Sequence, residues 1–280
     1  NNQTTGINNS GIISADRTDL TDKGGIGLYV DYGFINNETS GIVNIEKGSV
    51  NGPNKKGIGI YGTNSTKIKN DGKINAAGEK SIGILGLSYR INSKTGLVYD
   101  PSQEEYYNNK VVTKFGNVNV ENGPTGKITM DGDGAVGMFV KNNSIDKDSS
   151  GNFVITNSSD RRSKVDTVAV NKGEITINGN NNSVAMGANN AIITNDTTGK
   201  INVNGTKSAG MYGTNDSDLI NNGEINVAAT SSGNESIGMY IDDQNSTITT
   251  SGKINVGKSS YGIFGKKVDM NDGEINVADD

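Results

Sequence analysis

Apolar residues recur in step along almost the whole chain, within two alternating phrases. The first phrase is a small residue, an apolar residue, glycine, a second apolar residue and an aromatic one. It reads Gly25-Ile26-Gly27-Leu28-Tyr29 and returns at 57–61, 81–85, 135–139, 208–212, 236–240 and 260–264, with a weaker copy at Ser183-Val184-Ala185-Met186-Gly187. The second is glycine, polar, apolar, Asn or Thr, apolar, as in Gly199-Lys200-Ile201-Asn202-Val203. It opens at Gly11, Gly41, Gly72, Gly126, Gly173, Gly199, Gly223, Gly252 and Gly273. Alternation with a period of two predicts short strands with one face buried, and no segment carries a sustained helical period. A third, less regular strand is expected between the phrases, for example Lys67-Ile68-Lys69, Asp218-Leu219-Ile220 or Thr247-Ile248-Thr249, closed by Asn, Asp or Gly turns.

The second phrase reopens every 21 to 31 residues, apart from two intervals of 54 and 47. That spacing is the size of one coil of a parallel β-helix. The expected fold is therefore all-β, a solenoid of about eight to nine coils of three short strands, forming one body over 1–280. Right-handed coiling is expected because strand crossovers take that hand and the hexapeptide repeat of left-handed helices is missing. Stacked at about 4.8 Å, the second phrases would set Ile74, Ile128, Ile175, Ile201, Ile225, Ile254 and Ile275 in one inward column, and Ala76, Met130, Ile177, Val203, Val227, Val256 and Val277 in another.

The outward positions of the same phrase support this register. Lys73, Lys127, Glu174, Lys200, Glu224, Lys253 and Glu274 mostly alternate in sign from Lys127 onward, and opposite charges on adjacent strands attract. Asn75, Thr129, Thr176, Asn202, Asn226, Asn255 and Asn276 form an outward column able to bond amide to amide. A carbohydrate-binding ladder is the alternative reading of that column.

Composition narrows the chemistry. Only 32% of the 280 residues are hydrophobic, but their regular recurrence argues for many tight turns rather than disorder. There is no Cys and no His, which removes disulfides, Cys/His zinc sites and every Ser-His-Asp or Cys-His triad. The net charge of −5 comes without a basic stripe, so nucleic acid is not an expected partner. No run approaches the length of a membrane helix, and residue 1 falls in mid-pattern, as in a piece of a longer protein. No cofactor and no metal are expected. Asp131-Gly132-Asp133-Gly134 and Asp242-Asp243 hint at calcium but match neither an EF-hand loop nor the nonapeptide calcium repeat, and read as turns.

The two long intervals contain insertions at about 87–115 and 141–164. Both fall after a first-phrase strand and before an irregular one, so they should leave the same corner of successive coils as a single protrusion. Tyr89, Arg90, Tyr99, Tyr106 and Tyr107 lie in the first, and Phe153, Arg161 and Arg162 in the second. Tyr and Arg are favoured interface anchors, which makes these eight the candidate binding residues; a surface insertion that packs on itself is the alternative.

Repeated Gly-Ile-Gly-Met-Tyr and Gly-Lys-Ile-Asn-Val phrases with Asn-rich turns resemble, over nearly the whole chain, the passenger regions of large fusobacterial-type autotransporter adhesins of type Va secretion, the RadD-like proteins. The resemblance implies a right-handed β-helix passenger held outside the cell by a C-terminal outer-membrane β-barrel, which would be the only link to a membrane. It further implies attachment to a host-cell surface protein or glycan, or to the surface of another bacterium. The function expected is thus that of a non-enzymatic cell-surface adhesin fragment. Two alternatives remain: a ligand-free spacer of a longer adhesin, and a polysaccharide-active β-helix enzyme working through carboxylates.

Overall fold

The computed structural model describes residues 6–15, 25–31, 33–46, 57–63, 66–88, 118–142, 144–147, 153–156 and 167–278. Each coil passes through three short strands, as in Asp218–Asn221, Glu224–Val227 and Ile237–Ile241. Each strand pairs in parallel with its equivalents one coil away, which produces two nine-stranded sheets and one of eight strands. The first sheet collects the irregular strands, from Gly6–Asn9 to Val268–Met270. The second collects the second phrase, from Ile12–Ala15 to Glu274–Val277, and the third collects the first phrase, from Ile26–Asp31 to Tyr261–Phe264. The fold is a right-handed parallel β-helix, the hand that strand crossovers adopt.

The second sheet follows the sequence pattern residue by residue. Ile201 pairs with Ile225 and Ile225 with Ile254, while Val203, Val227 and Val256 line up beside them. Ile74, Ile128, Ile175, Ile201, Ile225 and Ile254 are buried. A single coil encloses almost nothing, so this column owes its burial to the coils above and below. The last coil shows the dependence: Ile275 and Val277 occupy the same inward positions but are 36% and 64% exposed. Outside the column, Lys127 meets Glu174 at 3.6 Å, Lys200 meets Glu224 at 3.9 Å and Lys253 meets Glu274 at 3.5 Å. The outward amides bond from coil to coil, with Asn226 donating to Asn202 at 3.1 Å, Asn255 to Asn226 at 2.8 Å and Asn276 to Asn255 at 3.0 Å.

The third sheet departs from a period of two. In Ile237–Ile241 both Gly238 and Met239 are buried, and the pairing with the next coil joins Ile237 to Tyr261 and Met239 to Ile263, passing over the glycines. At this glycine the coils approach too closely for a side chain, although Ala185 keeps a buried methyl at the equivalent position of its own coil. A Cβ on Gly238 would lie 2.6 Å from the Gly262 carbonyl oxygen and 2.8 Å from Ile254 Cγ2. Two consecutive inward residues throw the positions on either side of them outward, and those positions are apolar.

A buried ladder of asparagines runs along the corner between the first and second sheets. Asn9 donates its side-chain amide to Asn37 Oδ1 at 2.8 Å, Asn37 to Asn70 at 2.7 Å, and Asn70 to Asn122, Asn122 to Asn171 and Asn171 to Asn195 each at 2.8 Å. Asn195 then donates to Asn221 at 2.9 Å, and Asn221 to the Thr250 hydroxyl at 3.2 Å. Every member is buried. In a dry interior an amide is stable only when its donor and acceptor are both used, and identical residues at identical heights meet that need without limit on length. The invariant glycine that opens the second phrase belongs to this corner. A Cβ on Gly173 would sit 2.3 Å from the Gly126 carbonyl oxygen, so no other residue lets adjacent turns come this close.

Candidate functional site

The outward residues of the third sheet form two apolar columns along the rod. Ile26, Ile58, Ile82, Val136, Val184, Ala209, Ile237 and Tyr261 make the first, and Tyr29, Tyr61, Leu85, Phe139, Gly187, Tyr212, Tyr240 and Phe264 the second. Adjacent rings lie against one another: Tyr29 and Tyr61 tilted at 5.1 Å, and Tyr212 and Tyr240 stacked at 5.7 Å and Tyr240 and Phe264 stacked at 5.5 Å between centroids. Aromatic pairs at such separations attract beyond the area they bury. Ile26 and Tyr29 at one end, and Tyr261 and Phe264 at the other, are each about half exposed or more.

Over the last four coils this face sinks into a groove of about 1010 Å³. Val184, Ala209 and Ile237 lie along it, the aromatic column bounds one side, and Lys207 and Glu235 stand on the turns at the other. Polar chemistry at the rim is already engaged. The Tyr212 hydroxyl donates to Asp242 at 2.8 Å, and burial together with that carboxylate pushes its pKa up to about 12. Glu235 accepts from the Gly233 amide at 2.7 Å, and this backbone hydrogen bond holds its carboxyl below the usual range. The groove thus offers a phenol and a carboxylate fixed in single protonation states at neutral pH, over a mainly apolar lining that also includes Asn182, Ser183 and Ser208. It suits an apolar partner surface more than a charged ligand.

The candidate binding residues of the insertions are placed only in part. Tyr89, Arg90, Tyr99, Tyr106, Tyr107, Arg161 and Arg162 lie outside the described residues. Phe153 begins the strand Phe153–Thr156, which pairs antiparallel with Ser144–Lys147, Phe153 opposite Lys147. The strands that lead into the two insertions are neighbours in the third sheet, with Ser88 opposite Asn142. Those that receive the chain again are neighbours in the first, with Val118 opposite Thr167. The acidic turns are tied up by the protein itself. Asp133 takes the Asn180 backbone amide at 2.8 Å and side-chain amides of Asn180 and Asn181, and Asp131 takes the Asn178 amide at 2.7 Å. Asp243 accepts from the backbone amides of Asn245 and Ser246, both at 2.8 Å. Among the described residues no group of three or more acidic side chains is placed to hold a metal ion.

Reading the sequence for a core hid the apolar face. The first phrase has two apolar residues around a glycine, and alternation assigns both to one side; the structure buries the second and turns the first outward, where it is half-buried in most coils. The aromatic at the end of the phrase, repeated in coil after coil, was the available signal for an outward column.

The chain is thus a β-helix repeat domain carrying one apolar face. Residues 146–280, which include the grooved coils, are similar to the family described as the BigA third pectate lyase-like domain, a β-helix domain of bacterial surface-protein type. No match was found among curated proteins or among solved structures.

Proposed function

We propose that this chain is a rod segment of a bacterial cell-surface adhesin and that it makes contact through the outer face of its third sheet. The observation that carries this reading is the double apolar column, since an outward sheet side built of half-buried Ile, Val, Tyr and Phe and sunk into a groove over the last coils is the kind of surface a partner covers. The similarity of residues 146–280 to a surface-protein domain supports the location, and the phrases shared with type Va passengers support display beyond an outer membrane by a β-barrel. The paired insertions add a second element of the same reading, with Tyr89, Arg90, Tyr99, Tyr106, Tyr107, Phe153, Arg161 and Arg162 as its anchors. The words pectate lyase-like describe a fold, and a fold by itself assigns no reaction.

The test is binding of the fragment to host cells, to partner bacteria and to a glycan array. Three proteins are compared: the parent, a version with both insertions replaced by short turns, and Tyr212→Ser with Tyr240→Ser. Loss of attachment in the serine variant supports the face, and loss in the shortened variant supports the insertions. Binding by none of the three, the parent included, leaves a spacer and refutes the adhesin reading.

A further inference from the structure

Along most of the rod the outward side of the first sheet is polar. Its two outward columns carry Lys67 and Lys69 in one coil, Asn119 and Glu121 in the next, and Thr247 and Thr249 further on. The three strands that follow the second insertion differ. There the same columns hold Val168 and Val170, then Ile192 and Thr194, then Asp218 and Ile220. Four half-buried aliphatic side chains thus gather in three successive coils, whereas elsewhere among the described residues Phe34 is a lone apolar member of these columns. Strand stacking does not call for the four. Ala169, Ile193 and Leu219 already fill the inward column, and Lys, Asn or Thr serve outward in other coils.

An amphipathic hairpin is tied to the same place. The strands Ser144–Lys147 and Phe153–Thr156 pair antiparallel, with Ile145 opposite Ile155 and Lys147 opposite Phe153. Opposed residues, and residues two apart, share a face. Ile145, Ile155 and Phe153 therefore fall with Lys147 on one face, and Ser144, Asp146, Val154 and Thr156 on the other. Two strands alone are marginally stable in water, so an apolar face of this kind calls for a surface to cover it. One residue separates Ser144 from the end of Val136–Asn142, which starts the hairpin at the corner between the third and first sheets. Ten residues, 157–166, then lead from Thr156 to Thr167, where the first-sheet strand bearing Val168 and Val170 begins. Such a length spans up to about 33 Å, enough for the hairpin to lie over that strand and the two after it.

We infer that the hairpin of the second insertion docks its Ile145, Phe153 and Ile155 face on the outer side of the first sheet, over Val168, Val170, Ile192 and Ile220. The sizes agree: strands of four residues are about 13 Å long, and three strands spaced at about 4.8 Å extend about 10 Å along the rod. The first insertion has no such landing place, because its return strand Val118–Asn122 carries Asn119 and Glu121 outward, and Glu121 is held by Lys172 at 3.0 Å. The columns of the third sheet are the other apolar surface at this corner, but they run the length of the rod and are not tied to the insertion. The first-sheet patch begins on the strand that the insertion feeds and ends two coils on. Docked there, the insertion leaves the third-sheet face uncovered. Phe153 then anchors the insertion to its own rod, and the other named insertion residues remain for a partner. The inference does not depend on what the rod attaches to.

The test is amide hydrogen exchange across the hairpin, read by mass spectrometry on the whole chain. Val168→Thr, Ile192→Thr and Ile220→Thr are combined in one variant; threonine already stands in these columns at Thr194, Thr247 and Thr249, so the strands are expected to hold. Exchange of the hairpin amides should rise at least about 10-fold in this variant while the second-sheet strands keep their protection. Tyr212→Ser with Tyr240→Ser, on the third sheet, should leave the hairpin unchanged. Equal hairpin exchange in the parent and the threonine variant overturns the inference, and so does a hairpin freed by the serine variant instead. A second measurement uses a rod with 143–166 replaced by a short turn. It should bind more of an apolar fluorescent dye than the parent, and the three threonines should abolish the gain. No gain on removing the insertion overturns the inference as well.

Discussion

Replacing Asn171 by alanine tests whether the buried amide ladder holds the coils in register. Asn171 is fully buried; its Oδ1 accepts from Asn122 at 2.8 Å, and its Nδ2 donates to Asn195 at 2.8 Å and more weakly to the Lys200 carbonyl at 3.4 Å. Alanine leaves one Asn122 N–H and the Asn195 carbonyl oxygen without their partners in a dry corner. Each orphaned group costs about 1–3 kcal/mol, so a loss of about 3–4 kcal/mol is expected. Asn226 is the control. It makes comparable bonds, to Asn202 and from Asn255, but on the outer surface where water replaces them, so Asn226→Ala should cost about 0.5 kcal/mol or less. Asn171→Thr should recover about half of the loss, because a hydroxyl both accepts and donates, as Thr250 does at the end of the ladder. Urea unfolding followed by circular dichroism supplies the comparison, with amide exchange on the flanking strands to detect local opening in a repeat protein that need not unfold in one step. Equal losses for Asn171→Ala and Asn226→Ala would refute the claim that burial, rather than the bond itself, makes the ladder matter.

Other expectations follow from the same geometry. Gly173→Ala forces a methyl to within 2.3 Å of a carbonyl oxygen and should lower stability by about 2–3 kcal/mol, against about 1 kcal/mol or less for Ala185→Gly; thermal melting distinguishes the two. Asp133 has its carboxyl pKa lowered chiefly by the Asn180 backbone amide, so its stabilising contribution is full above the ordinary carboxylate range and disappears as pH falls through the lowered value. Urea midpoints taken between neutral and acid pH should fall less steeply for Asp133→Asn than for the parent. Lys200→Glu places a third negative charge between Glu174 and Glu224 and should cost about 0.5–1 kcal/mol at low salt, most of it removed by molar salt, as a salt series of the unfolding midpoint would show.

The second sheet was legible because its pattern and its pleat agree: every other residue of Lys200–Val203 or Glu224–Val227 points inward, and the sequence alternates accordingly. The third sheet was legible as strand but not as orientation. Its glycine lets two successive residues turn inward, and a rule of alternation cannot register that bend. The ladder through Asn122, Asn171 and Asn195 was hidden for a different reason. Asparagine before a glycine is also ordinary turn chemistry, and one turn viewed alone does not reveal that the amide points inward. The information lies in the repeat along the rod axis, in residues 24 to 52 positions apart.

The three sheets divide the work between register and recognition in a way their outward residues explain. On the second sheet the charges and amides bind one coil to the next, as Lys253 does with Glu274 and Asn255 with Asn226, so their valences are spent along the rod. A partner would have to break those contacts before it could use them. On the third sheet the outward side chains are apolar, and stacking Tyr212 on Tyr240 uses ring faces but leaves ring edges and aliphatic carbon facing water. Burying that surface costs no hydrogen bond and releases water, at roughly 25 cal/mol for each Å² covered. Recognition is therefore cheapest on the one side of the rod that contributes least polar bonding to its own register, and the groove between Val184 and Phe264 lies on that side.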